Sequence, residues 1–299
     1  MHKQARARAL ARQLAARVDL DRTLGARFQP IRLPRPRDLS RAKPAAHAER
    51  PRPAPARGQA AEVPAPGARQ AAAQARLPSP VHLGAGDLPP LREVEPVADK
   101  QAALAPLRDQ ALACTKCPLA RTRTCVVFGE GDLDADLVFV GEAPGRDEDR
   151  EGRPFVGRAG VLLTRMIEQG MQRPRASVYI CNILKCRPPR NRPPAPDEVR
   201  ACALYLHRQL EVIRPRLIIA LGRPAAQVLS GERMSMKRLR GRLLRYRGVP
   251  LLPIYHPAFL LRRRGRLQAP ATPEDRETWR DLQQAMALLA READEDGDG

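Results

Sequence analysis

Four of the six cysteines in this chain are spaced as ligands. Cys114-Thr-Lys-Cys117 is a CxxC pair, and Cys186 and Cys202 lie far downstream. A CxxC alone serves equally as a redox couple or as half a zinc site. One local pair with two remote partners makes a closed four-thiolate site, and thiolates suit either zinc or an iron–sulfur cluster. The spacing does not choose between them. Cys125 and Cys181 fit no ligand pattern, and Cys181 sits inside an apolar run, as an ordinary buried thiol does.

A second set of residues could handle a flat, polar ligand. Gly141-Glu142-Ala143-Pro144-Gly145 is followed by Glu148 and by Gly152-Arg153-Pro154-Phe155-Val156-Gly157. Glycine and proline after an apolar run signal a tight turn, here one that carries carboxylates. Neither GxGxxG nor GKS/T is present, so it is not a phosphate-binding loop. An aromatic such as Phe155, placed in a glycine-rich loop with no periodic pattern, can stack on a base. Asn182 ends another apolar run, and its carboxamide offers a donor and an acceptor side by side, matching a nucleobase edge. The bland alternative for Asn182 is a turn former. His256 precedes Pro257 and a Leu260-Leu261-Arg262-Arg263-Arg264 run, in which arginines would meet phosphates and leucines would be buried or act as a wedge.

These residues need elements to position them. Strand-length apolar runs occur at 137–141, 178–182, 217–222 and 250–255. Helical patterns lie between and after them, at 159–169, 197–213, 224–229 and 273–292. This alternation predicts an α/β fold, a three-layer α/β/α arrangement with a central four-stranded parallel sheet. In such folds ligand-binding groups gather beyond the carboxyl ends of the strands, where Glu142, Asn182 and His256 stand. Residues 1–98 are rich in Pro, Ala and Arg and read as a basic, largely disordered tail: 28–97 show no hydrophobic period, while 4–18 could form a short Arg-rich helix. The folded domain is expected over 99–291 and an acidic disordered end over 292–299.

The net charge of +20 and a sequence pI of about 11.0 suit a polyanionic partner, of which nucleic acid is the commonest. The chain lacks an apolar run long enough to span a membrane. Its basic N-terminus has no apolar core of a secretory signal, so a cytoplasmic, nucleoid-associated location is expected. Cysteines in that setting argue for a metal or redox site over disulfides.

Taken in order, Gly141-Glu142-Ala143-Pro144-Gly145, Gly152 to Gly157, Asn182 with Lys185-Cys186-Arg187-Pro188-Pro189, Ala220-Leu221-Gly222 and His256-Pro257 resemble the family 4 uracil-DNA glycosylases, the iron–sulfur type of bacteria and archaea. The resemblance covers the chain from about Cys114 to the final helix. It implies hydrolysis of the N-glycosidic bond of uracil in single- or double-stranded DNA, leaving an abasic site for base excision repair, by a monomer. It implies a [4Fe–4S] cluster on Cys114, Cys117, Cys186 and Cys202. By the same resemblance Phe155 stacks on the flipped base, Asn182 reads its N3 and O4 edge, and His256 bonds to O2. Glu142 stands beside the attacking water, with Glu148 and Asn191 as further residues for water or sugar positioning. Leu260 is the wedge that fills the space left in the duplex. A related branch traps uracil through a histidine in the loop after the second strand. Here Cys186 to Pro196 contains none, so turnover is expected. Two other readings compete: a non-catalytic or differently specific nucleic-acid-binding module on the same fold, and a zinc-stabilised regulatory protein.

Overall fold

The computed structural model describes residues 88–295 apart from 266, 268 and 269. The expected tail therefore lies outside the described residues as far as 87, and the acidic end from 296 onward.

Four runs of apolar residues form the centre of the sheet: β2 (Leu137–Gly141), β3 (Tyr179–Asn182), β4 (Leu217–Leu221) and β6 (Val249–Ile254). They lie parallel in the order β3-β2-β4-β6. Every residue of β2, β3 and β4 is buried, because helices cover both faces of the sheet. The side chains alternate between two cores. Val138, Val140, Ile218 and Ala220 face one cluster; Leu137, Phe139, Ile219 and Leu221 face the other.

The sheet has six strands and not the expected four. β1 (Glu130–Gly131) pairs antiparallel with β3, and β5 (Leu244–Tyr246) antiparallel with β6. These edge strands span only two and three residues and are partly exposed, so no apolar run announces them.

On one face lie α1 (Lys100–Leu112), α4 (Pro196–Ile213) and α5 (Arg223–Ser230). Asp99 caps α1 by accepting from the Ala102 N–H at 2.8 Å. On the other face lie α3 (Arg158–Arg165), which runs on as a π-turn over Met166–Gly170, and the long α8 (Pro273–Glu295). Short helices α2 (Arg146–Glu151), α6 (Met236–Leu239) and α7 (Pro257–Arg264) fill the connections. The three-layer expectation holds. The folded body starts upstream of 99: Leu91 is buried, its N–H donates to the Arg247 carbonyl at 2.8 Å, and Arg247 Nε donates to the Pro89 carbonyl at 2.8 Å. No helix among the described residues is long and apolar enough to cross a membrane.

Candidate active site and cysteine pocket

Parallel pairing places the ends of β2 and β3 level, with Gly141 opposite Asn182. A side chain on Gly141 would overlap Asn182 Oδ1 and come within 2.7 Å of Phe155 Cζ. Its absence lets the carboxamide and the aromatic ring approach the end of β2 closely. The Phe155 and His256 rings stand 5.7 Å apart and 31° from parallel. His256 in turn packs on Gly222, where a Cβ would lie 2.9 Å from its own. Phe155, Asn182 and His256 are thus brought together at the carboxyl ends of β2, β3 and β6.

Phe155 adopts φ = 52°, a left-handed conformation that is strained for a bulky residue. Contacts on both sides hold it there. Glu148 Oε1 accepts from the Val156 and Gly157 N–H groups at 3.1 and 2.9 Å, while Oε2 accepts from the Gly145 N–H at 3.1 Å. On the other side the Arg175 guanidinium donates to the Pro154 carbonyl at 2.9 Å, anchored by Glu130 at 3.0 Å and Thr164 at 3.1 Å. Gly160, in the first turn of α3, lets the Phe155 carbonyl pack against it, since any Cβ there would overlap that group.

Asn182 is 1% exposed, and its Oδ1 has no hydrogen-bond partner. A buried acceptor left unpaired costs about 1–3 kcal/mol unless a ligand satisfies it. His256 is the N-cap of α7, and its Nδ1 accepts from the Ala258 N–H at 3.0 Å. The neutral ring must then carry its proton on Nε2. Burial, aided by the Arg262 charge, lowers the His256 pKa to about 4. Glu142 follows Gly141 and is half-buried. Burial raises its carboxyl above the ordinary range, and the charges of Arg223 and Arg262 oppose that rise.

Behind β3, Cys114, Cys117, Cys186 and Cys202 line a single pocket with Lys185, Arg123 and Tyr205. Arg123 donates to the Cys114 carbonyl at 2.7 Å and to Cys186 Sγ at 3.4 Å; the Lys185 N–H donates to Cys202 Sγ at 3.3 Å. Burial pushes the Cys202 thiol up to about 12 and raises those of Cys117 and Cys186. Among the described residues no three His, Cys, Asp or Glu side chains gather closely enough to grip one ion. A zinc ion would need its sulfurs about 2.3 Å away. Four sulfurs around one pocket are a donor set that either zinc or an iron–sulfur cluster would take.

Residues 128–283 match the profile of the uracil DNA glycosylase superfamily. The chain belongs to that superfamily. A type-4 uracil-DNA glycosylase of Thermotoga maritima is 50% identical to it over 153 residues, covering 50% of this chain and 79% of that protein. The type-4 enzyme of Archaeoglobus fulgidus is 48% identical over 163 residues, covering 52% and 81%. A type-5 uracil-DNA glycosylase of Pyrobaculum aerophilum is 33% identical over 173 residues, covering 50% and 75%.

In this superfamily member not every residue singled out in the sequence reaches the slot. Leu260 is 2% exposed, packed in a small core with Leu162, Tyr255 and Leu261. It is covered in this conformation, so its burial lends the expected wedge role no support. The reason is local: residues 257–264 form a helix, and its inward stripe takes Leu260 while Arg262 and Arg263 face outward. Asn191 is exposed, at φ = 55°, and accepts from Arg187 Nε at 2.8 Å; no described contact joins it to the slot. Glu148 has both oxygens engaged by backbone N–H groups of the Phe155 loop. Sequence reasoning missed Arg175 and Gly160. Arg175 carried no signal among so many arginines; Gly160 did, as a glycine at the start of a helix.

Proposed function

We propose that this protein hydrolyses the N-glycosidic bond between uracil and deoxyribose in DNA, releasing the base and leaving an abasic site. The observation that carries the reading is the slot at Gly141, where an aromatic face, an unpartnered buried carboxamide and a neutral histidine meet. The superfamily and its type-4 relatives support it.

The target nucleotide lies inside a stacked duplex, so it must swing out to reach the slot. Phe155 stacks on the everted base. Asn182 accepts from uracil N3–H through Oδ1 and donates to O4; cytosine presents the opposite order and leaves buried polar groups unpaired. His256 donates from Nε2 to O2, where negative charge accumulates as the base departs. Its low pKa keeps it neutral, and with Nδ1 occupied by the Ala258 N–H the ring proton sits on Nε2. Water adds to the oxocarbenium-like sugar, oriented by Glu142, whose carboxylate also stabilises the cationic carbon. Glu148 acts by holding the Phe155 loop and not by touching water. Exposed arginines near the slot, Arg223 and Arg262, contact phosphates. The protein acts as a monomer.

Cys114, Cys117, Cys186 and Cys202 hold a [4Fe–4S] cluster. When bound, the cluster supplies a covalent tie between the segment after α1, the loop after β3, and α4. The glycosidic reaction itself is hydrolytic and draws no electrons from it.

The test is a nicking assay on uracil-containing single- and double-stranded oligonucleotides, followed by alkali, with protein of measured iron content. Cleavage at uracil alone, by a brown protein with about four irons per chain, is expected. Absence of cleavage by iron-replete protein would overturn the enzymatic reading; stoichiometric zinc in place of iron would overturn the cluster.

A further inference from the structure

The Asn182 carboxamide is not held by hydrogen bonds of its own, since Oδ1 has no partner. Its aim depends on the backbone beneath it. The peptide linking Asn182 to Ile183 is the first beyond β3, where ladder pairing ends. Its N–H donates to the Gly141 carbonyl at 3.0 Å. Its carbonyl accepts from Lys185 Nζ at 2.9 Å. That peptide plane is therefore pinned on both sides, once by the neighbouring strand and once by a side chain.

Lys185 is an unusual choice for this task. It is 1% exposed, and both acceptors of its amino group are uncharged: the Asn182 carbonyl and Gln209 Oε1 at 2.6 Å. The amino group also lies 5.9 Å from the Phe128 ring centroid. Burying a lysine head without a carboxylate is costly, and here two neutral oxygens each take one of its N–H donors. Gln209 is itself fixed, donating to the Phe128 carbonyl and to the Tyr179 hydroxyl, each at 2.9 Å. Tyr179 begins the same strand that Asn182 ends. The chain of contacts closes on β3, from its first residue through α4 to its last.

We infer that Lys185 is a positioning residue for base recognition: with Gln209 it fixes the peptide plane after Asn182 and so aims the carboxamide into the slot. This rests on the reading of Asn182 given above. The role needs two N–H donors and no change of protonation, and a methionine of similar length supplies neither.

The experiment compares Lys185→Met, Gln209→Met and Asn182→Ala in the full-length, iron-replete protein. Three quantities are read: inhibition of uracil excision by free uracil, affinity for an oligonucleotide carrying an abasic-site analogue, and visible absorption. Free uracil reports the base slot alone. Lys185→Met is expected to raise the free-uracil inhibition constant by ~10-fold or more, a displacement effect, while absorption and abasic-site affinity stay at wild-type values. Gln209→Met is expected to give a smaller rise in the same direction. A purely structural role would shift abasic-site affinity and absorption together with free-uracil inhibition, and that outcome overturns the inference. If Asn182→Ala loses inhibition and both Met variants retain it, the inference fails and the reading of Asn182 stands. If Asn182→Ala also retains wild-type inhibition, that reading fails and the inference with it. If Lys185→Met does not fold, Gln209→Met decides by the same criterion.

Discussion

Phe155 and His256 face each other with ring centroids 5.7 Å apart, although 101 positions separate them in sequence. The distance between them is set by two different devices. Phe155 is locked by charged side chains that grip the peptide groups around it. His256 is locked by capping the helix that it begins. Neither ring can drift without breaking bonds at its own backbone, so the site is organised before any ligand arrives.

Gly141→Ala is the most direct test of the slot. The added methyl would overlap Asn182 Oδ1 and crowd the Phe155 ring. Excision of uracil should fall by ~100-fold or more in kcat/KM, with helix content and iron binding retained. Wild-type activity in this variant would show that the base does not lie between those two side chains.

The pH profile should have an acid limb set by Glu142. Its carboxyl is raised by burial, so it takes up a proton as pH falls, above the ordinary carboxylate range, and activity declines there. His256 stays neutral through this limb because its pKa is lowered to about 4. The residual activity of Glu142→Gln should then be flat across that range and fall only as pH approaches about 4. Stability carries a separate signature. Between the ordinary histidine value of 6.5 and about 4 the unfolded chain binds a proton that folded His256 refuses, so stability drops as pH falls through that window. His256→Asn should remove that contribution, as read by urea unfolding at several pH values.

Loosening the Phe155 loop should cost turnover more than fold. Glu148→Gln keeps the size of the side chain but not two equivalent acceptors for three N–H groups. Arg175→Met removes the donor to Pro154. Each is expected to lower stability by ~1–3 kcal/mol and kcat/KM by ~10- to 100-fold. Steady-state kinetics beside thermal melting measures both. Equal effects on a variant already lacking the Phe155 ring would argue against the loop as the route.

Leu260→Ala separates a core residue from a wedge. Full burial against Leu162 and Tyr255 predicts a loss of ~2–5 kcal/mol on urea unfolding. A variant of unchanged stability that binds duplex DNA less well would restore the wedge.

Much of this was legible in the chain, and the parts that were not have a common cause. β2, β3 and β4 are covered on both faces, so burial writes itself as an unbroken apolar run; Asn182 and His256 are conspicuous because they interrupt or end such runs. β1 and β5 carry no such mark, being short and half-solvated. α7 carried no helical pattern in the sequence, because Arg262-Arg263-Arg264 follow its two leucines without a break, and with it went the burial of Leu260. Glu148, Arg175 and Gln209 work on backbone groups of other segments, and Lys185 bends back to the carbonyl three residues before it. Sequence spacing does not encode which carbonyl a side chain will meet, so polar residues of this kind surface only once the chain is folded.

The two- and three-residue outer strands have a further consequence for the protein in a crowded cell. A long open strand border would invite another chain to zip alongside it, the first step toward amyloid-like clumping. Here the inward-facing strands are walled off by borders too brief to template such growth. A second copy would find little exposed backbone there to pair with.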